Sequence, residues 1–327
     1  MDSDLAPENR TPYATFGWQG IGLTVPSSWD LVFTQGDDRS GCVRLADAAS
    51  VRLEVLWQTA GRDRSAAAIL DAHLARLGKE AAKQGTAFSL ERNLKLAWPV
   101  DKDAECYRWV ADRQVLGMLS CCARCRRVVH LNLWSRPQER IKGLARTVFS
   151  SLSDHPDEGG ALWKFLDVEF RTPAGLPLAD RSLQAGCIRM VFLRRRVRLE
   201  FVRLSLAELV LRGKGLAQWF REFYARALKR RSVAVQDGLV KGHVGLQVSG
   251  RAWTVLNPLS LVGRRRIVRG ACWHCQDTNR LFICCYDGPA KQAGIFGPAL
   301  ESFRCCGAAA GGDDGSVPQE EAARPSA

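Results

Sequence analysis

The sequence predicts an α+β protein of two tandem repeats, each a mainly antiparallel sheet covered by amphipathic helices in the manner of an α/β/α sandwich. Three observations carry that expectation. The run Trp18, Gly20, Ile21, Leu23, Val25 returns 145 residues later as Trp163, Phe165, Leu166, Val168, Phe170. Gly41-Cys42-Val43-Arg44 returns as Gly186-Cys187-Ile188-Arg189, and the Val51, Leu53, Val55 run returns as Val197, Leu199, Phe201. Cys122-x-x-Cys125 returns as Cys272-x-x-Cys275, and so small a drift between landmarks is the mark of a repeated unit with loop insertions. On this alignment Trp18 superposes on Trp163 and Cys42 on Cys187.

Along the chain, residues 1–14 form a polar leader, followed by repeat 1 at 15–153, a linker at 154–160, repeat 2 at 161–306 and an acidic tail at 307–327. The segments 16–25, 41–45 and 51–57 alternate apolar and polar residues, as half-buried strands do. Ser65 then caps an alanine-rich helix with Ile69, Leu70, Leu74, Leu77 and Ala81 on one face, and Gly85 ends it. Strand-like segments follow at 106–111, 115–121 and 128–134, and Pro137 opens a helix through Ile141, Ala145, Val148 and Leu152. In the second repeat Ser205 and Glu208 have capping-box spacing ahead of an amphipathic face running from Leu209 to Leu228, weakened early by Gly213 and Gly215. Gly297-Pro298 interrupts the last helix. The tail, rich in Gly, Ala, Asp, Pro and Glu, has too few apolar residues to form a core.

The phrase Gly20-Ile-Gly-Leu-Thr-Val-Pro26-Ser-Ser-Trp29, followed by strands and an amphipathic helix, resembles the opening of PsbP-like domains. The resemblance covers the first repeat and reaches the second only through the duplication, where Thr172-Pro173 stands without a following Trp. It implies an α/β/α sandwich and, because fold does not carry function, no activity.

Among 327 residues, 47 are basic and 34 acidic. Residues 1–160 carry 21 basic and 20 acidic side chains, whereas 161–306 carry 25 and 10. The excess gathers in three clusters: Arg194, Arg195 and Arg196; Lys229, Arg230 and Arg231; Arg264, Arg265 and Arg266. If these converge they form an anion-binding face for an acidic protein surface or a nucleic-acid backbone, with poor aromatic interleaving for base stacking. The polar N-terminus and the lack of a long apolar run argue for a cytoplasmic protein without a membrane span, in which twelve cysteines stay mostly reduced.

The two CxxC pairs are the strongest chemical signal. A CxxC turn offers two soft thiolates to one tetrahedral ion, so Cys122, Cys125, Cys272 and Cys275 together supply four ligands for a structural zinc shared between the repeats. A redox CxxC needs a helix N-terminus, and both pairs here run into strand-like segments. Cys284-Cys285 and Cys305-Cys306 are adjacent pairs whose members face opposite ways if extended, so at most one of each joins a site. The histidines show no paired spacing for a metal. No Gly-x-Ser-x-Gly elbow, phosphate loop, HExxH motif or small-molecule cofactor motif is present, which favours a non-catalytic adaptor or scaffold over a nucleic-acid-associated protein or a thiol oxidoreductase.

Overall fold

The computed structural model describes residues 12–60, 65–96, 103–136, 138–156, 159–229, 231–252 and 266–306. The first half runs β1 (Tyr13–Trp18), β2 (Ile21–Pro26), β3 (Asp30–Gly36), β4 (Ser40–Ala46), β5 (Val51–Thr59), α1 (Ala66–Lys83), β6 (Ser89–Glu91), β7 (Asp103–Val110), β8 (Gln114–Cys121), β9 (Arg127–Trp134) and α2 (Lys142–Ser150). The second runs β10 (Ala161–Phe165), β11 (Val168–Thr172), β12 (Leu178–Gln184), β13 (Cys187–Arg194), β14 (Val197–Ser205), α3 (Ala207–Leu211), α4 (Leu216–Phe223), α5 (Ala225–Leu228), β15 (Arg231–Val240), β16 (His243–Ala252), β17 (Arg266–Cys275), β18 (Arg280–Pro289), a 3-10 segment (Ala290–Ile295) and α6 (Phe296–Glu301).

These strands form three antiparallel sheets, and the expected α/β/α layering is corrected: the chain is mostly sheet. One seven-stranded sheet has the order β3-β4-β5-β9-β8-β7-β6 and the other β12-β13-β14-β18-β17-β16-β15, the same order when strands are counted from the start of each half. The third sheet, β11-β10-β1-β2, takes the opening hairpin of each half. Its side chains Phe16, Trp18, Leu23, Trp163, Phe165 and Phe170 share one core with Val43, Leu53 and Val55 of the first large sheet and Met190, Phe192 and Phe201 of the second. A sheet therefore fills much of the layer expected to be helical. The helices of the second half are too short to cover such a layer. The face expected from Leu209 to Leu228, weakened at Gly213 and Gly215, splits into three pieces, with Arg212 and Gly213 both at positive φ between the first two and α4 starting at Leu216.

The halves meet where Gly17 of β1 pairs with Lys164 of β10, 147 residues on. A Cβ on Gly17 would stand 2.9 Å from both Cγ and the carbonyl oxygen of Leu162, so this crossing requires glycine. Trp18 and Trp163 touch edge-to-face beside it, with ring centroids 5.2 Å apart, and each is 1% exposed.

The registers also correct the expected superposition. Trp18 pairs with Ile21 at the end of its hairpin, and the residue that closes the other hairpin is Phe165, opposite Val168. Likewise Arg44 stands opposite Glu54, and Val191 stands opposite Glu200. Trp18 thus corresponds to Phe165 and Cys42 to Arg189. A two-residue slide keeps every side chain on its own face of the strand, so an alternating pattern matches equally well in either register.

On the outer faces, α1 covers Tyr107, Trp109, Val115 and Leu119 of the first sheet, and α3 with α4 covers Val202, Leu246, Val248 and Ile283 of the second. Ser65 caps α1 as expected, its hydroxyl accepting from the Ala68 amide at 3.2 Å. The capping box does not form: Ser205 belongs to β14, and Leu206, at φ 56°, is the residue before α3. Pro137 lies outside the described residues; the helix it was expected to open is α2, and Ala145, Val148 and Phe149 bury its inner face.

Candidate metal centres

Five residues, 122–126, separate β8 from β9, and four, 276–279, separate β17 from β18. Cys122 donates its amide to the Arg127 carbonyl at 2.9 Å, and Cys275 pairs with Arg280, so Cys122 and Cys275 hold the same place before their turns. The turns end alike, with Arg126 at φ 61° and Asn279 at φ 48°. On this register Cys125 lies opposite Thr278, and the two CxxC motifs are offset by three residues. That offset decides the fate of Cys272. Three residues before Cys275 on a strand, it faces the other way and is fully buried in the outer core with Leu246 and Ile283. Burial holds its thiol well above the ordinary range.

Of the four cysteines expected around one shared ion, Cys122 and Cys125 therefore fall in one group, Cys275 in another, and Cys272 in neither. In the first half Cys122, Cys125, Asp154 and His155 bring one ligand atom each within 4.8 Å of one another. His155 Nε2 lies 2.8 Å from Cys122 Sγ and 3.8 Å from Cys125 Sγ, with Asp154 Oδ1 at 3.7 Å. In the second half the group is His243, Cys275, Cys305 and Cys306, again within 4.8 Å. Cys305 Sγ and Cys306 Sγ are 3.8 Å apart, and His243 Nε2 lies 3.3 Å from the first and 3.6 Å from the second.

These spacings fit a tetrahedral ion. With Zn–S near 2.3 Å and Zn–N near 2.0–2.1 Å, neighbouring ligand atoms should be about 3.8 Å apart for two sulfurs and about 3.6 Å for sulfur and nitrogen. The second group matches closely, whereas the first is drawn in at one contact. Desolvation, with the adjoining Cys305 thiol second, pushes Cys306 up to about 12, so an ion must displace protons to bind there. Charge supplies an independent test of fit. Arg127, beside the first group, donates Nη1 to the Gln19 carbonyl at 2.7 Å, but its Nε and Nη2 are buried without a hydrogen-bond partner. A divalent ion held by two thiolates, a carboxylate and a neutral imidazole carries one net negative charge. Arg127 is placed to balance it. Arg280 stands at the matching position of the second half and pairs with Asp167.

The second ligand pair arrives in the same way in each half. Ser153 forms an isolated bridge to Gly22 of β2, and Arg304 forms one to Glu169 of β11. The residues immediately after these bridges are Asp154 and His155 in one half and Cys305 and Cys306 in the other. Treating 154–160 only as a linker hid the first pair. The rule that adjacent cysteines face apart hid the second, because it holds on extended strands and Cys305 and Cys306 lie past the bridge, outside any strand. Cys284 and Cys285 do obey it, the former in the shared core and the latter against the outer one. A signal was available in the sequence, since the two segments lie 151 residues apart, close to the repeat spacing.

Of the expected anion-binding residues, Arg194, Arg195 and Arg196 are exposed at the β13–β14 turn, and Lys229 is exposed after α5. Arg266 is held by Asp287 at 2.8 Å. Arg230, Arg264 and Arg265, and the side chain of Arg231, lie outside the described residues. Among the described residues no helix is long and apolar enough to cross a membrane.

No protein-family model matches the chain, and no curated protein matches it. Among solved structures it is similar to the cyanobacterial PsbP of Synechocystis sp. PCC 6803, at 16% identity over 47% of this chain and 98% of that one, with a TM-score of 0.34. It is also similar to the type VI secretion immunity protein TplEi of Pseudomonas aeruginosa, at 12% identity over 90% of this chain and 98% of that one, with a TM-score of 0.35. A Tle4–Tli4 complex gives 11% identity over 90% and 98%, with a TM-score of 0.31. These are distant likenesses of fold alone.

Proposed function

We propose that the chain is a non-catalytic adaptor or scaffold that arose by tandem duplication, with each half closed by its own structural zinc ion. The observation that carries this is the placement of the two Cys/His groups: each joins the turn after one strand of a large sheet to the segment that follows a bridge onto the central sheet. The shared strand order, the matched turns and the paired positive-φ residues Gln19 and Leu166 support the duplication. Four protein ligands leave a tetrahedral ion no open position for substrate, which favours a structural role. Zinc is the ion preferred by thiolate-rich sets of this kind.

Elemental analysis tests the proposal. Purified protein should hold two zinc ions per chain. The double variant Cys122→Ser, Cys125→Ser should lose one, and Cys305→Ser, Cys306→Ser should lose the other. Retention of both ions in either variant would contradict the assignment of a separate centre to each half.

A further inference from the structure

A cavity of about 460 Å³ lies between α4–α5 and the outer face of the second large sheet, away from both metal centres. Its volume falls within the usual range for small-molecule sites. One wall is aromatic. Phe220, Phe223 and Tyr224 line it, with Tyr224 4.9 Å from Phe220 and 5.0 Å from Phe223 between ring centroids. The opposite wall carries Arg189, Arg198, Glu200 and Asp287, and Arg226 of α5 reaches it from the helical side.

The charges do not cancel. Glu200 receives Arg189 at 2.7 Å and Arg198 at 2.8 Å, Arg189 also meets Asp180 at 3.1 Å, and Asp287 is held by Arg266 at 2.8 Å. Each carboxylate in the wall is thus already engaged by arginine, whereas Arg226 has no partner among the described residues. The Tyr224 hydroxyl is buried and likewise has no hydrogen-bond partner. A buried hydroxyl without a partner is destabilising, so its place in the cavity wall points to a ligand group that meets it. Part of the arginine excess of the second half converges here, on residues outside the three basic clusters.

We propose that this cavity binds a small organic anion with a flat apolar body, of the aryl carboxylate class. The ring lies against Phe220 and Phe223. Arg226 takes the carboxylate through charge-assisted hydrogen bonds, and the Tyr224 hydroxyl donates a further one.

The test is calorimetric titration with 1-naphthoate and, as a charge-reversed control, 1-naphthylmethylammonium. Naphthoate should bind at one site per chain and at least tenfold more tightly than the amine. Arg226 is exposed on a short helix, so Arg226→Ala should leave the circular dichroism unchanged and weaken naphthoate binding about tenfold, the effect of losing one charge-assisted bond. Tyr224→Phe should weaken it severalfold. Failure of naphthoate to bind, equal affinity for the two compounds, or binding unaltered in Arg226→Ala would each overturn the proposal.

Discussion

With zinc in both Cys/His groups as proposed, chelation should strip the two ions in two well-separated steps, the first half yielding first. Its centre uses a carboxylate where the other uses a third thiolate, and its Cys125 is exposed, whereas Cys275 is wholly buried. Thiolate is the softer ligand and binds zinc more tightly than carboxylate does, and exposure lets a competing chelator reach the ion. With a colorimetric chelator, about half of the zinc should appear in a fast phase. Asp154→Cys should slow that phase. The second ion should leave only as the second half loosens, because His243, Cys275 and the 305–306 segment tie β16, β17 and the C-terminal end of the fold together. Loss of a structural metal belongs among the largest single-site effects, so Cys275→Ser should cost about 4 kcal/mol or more in denaturant unfolding. A single release phase for both ions would contradict the ranking of the two centres.

Acid should weaken the protein as pH falls below about 6.5, through one buried histidine. His130 is buried beneath α1, where its ring meets His73 edge-on at 4.4 Å between centroids and its Nε2 contacts the Tyr107 hydroxyl. Tyr107 donates to Asn132 Oδ1 at 2.9 Å, and Asn132 donates to Glu54 Oε2 at 3.2 Å. This direction of donation makes the tyrosine oxygen an acceptor from His130. Burial, then the neighbouring His73 and Arg76, pushes His130 down from 6.5 to about 3. Its folded value is below its unfolded one, so the unfolded chain takes up the proton first. The stability contributed by the neutral ring is complete above about pH 6.5 and is lost as pH falls toward 3. His73, lowered chiefly by burial, acts in the same direction. The loss should reach about 2–3 kcal/mol between pH 6.5 and 4.5, at up to about 1.4 kcal/mol per pH unit for one proton. Asp47 and Glu139 are both held below their ordinary values by arginines and backbone amides, and their contribution is lost only below that window. Denaturant titrations at intervals across it should show this slope, and His130→Gln should flatten it. An equal slope in the variant would remove His130 from the account.

Much of the local structure was legible because it rests on local rules. Ser65 announces α1, and Gly213 marks the break in the helical face of the second half. Alternation located β4 and β5, since half-buried strands leave one face apolar, but it read 16–25 as a single strand where β1 and β2 form a hairpin. What alternation could not give is register. A two-residue slide hid the match of Trp18 to Phe165, and a three-residue slide made Cys272 look like a ligand when it is a core thiol. The central sheet was illegible for a different reason. Nothing local in β1 says that its free edge pairs with β10, 147 residues away, and without that pairing the helices seemed the only available cover for the large sheets. The metal sets were half visible: the turn cysteines stand out as a motif, whereas Asp154, His155, His243, Cys305 and Cys306 reach them only through tertiary placement.

X-ray absorption at the zinc edge tests the central claim most directly, because it counts the sulfurs around the average ion. The two proposed centres, one with Cys122 and Cys125 and one with Cys275, Cys305 and Cys306, would place five sulfurs around two ions. The spectrum should therefore fit between two and three sulfurs per zinc at about 2.3 Å, with the remaining ligands nitrogen or oxygen near 2.0–2.1 Å. A fit of four sulfurs per zinc, with one ion per chain, would contradict this and restore a single site shared between the halves.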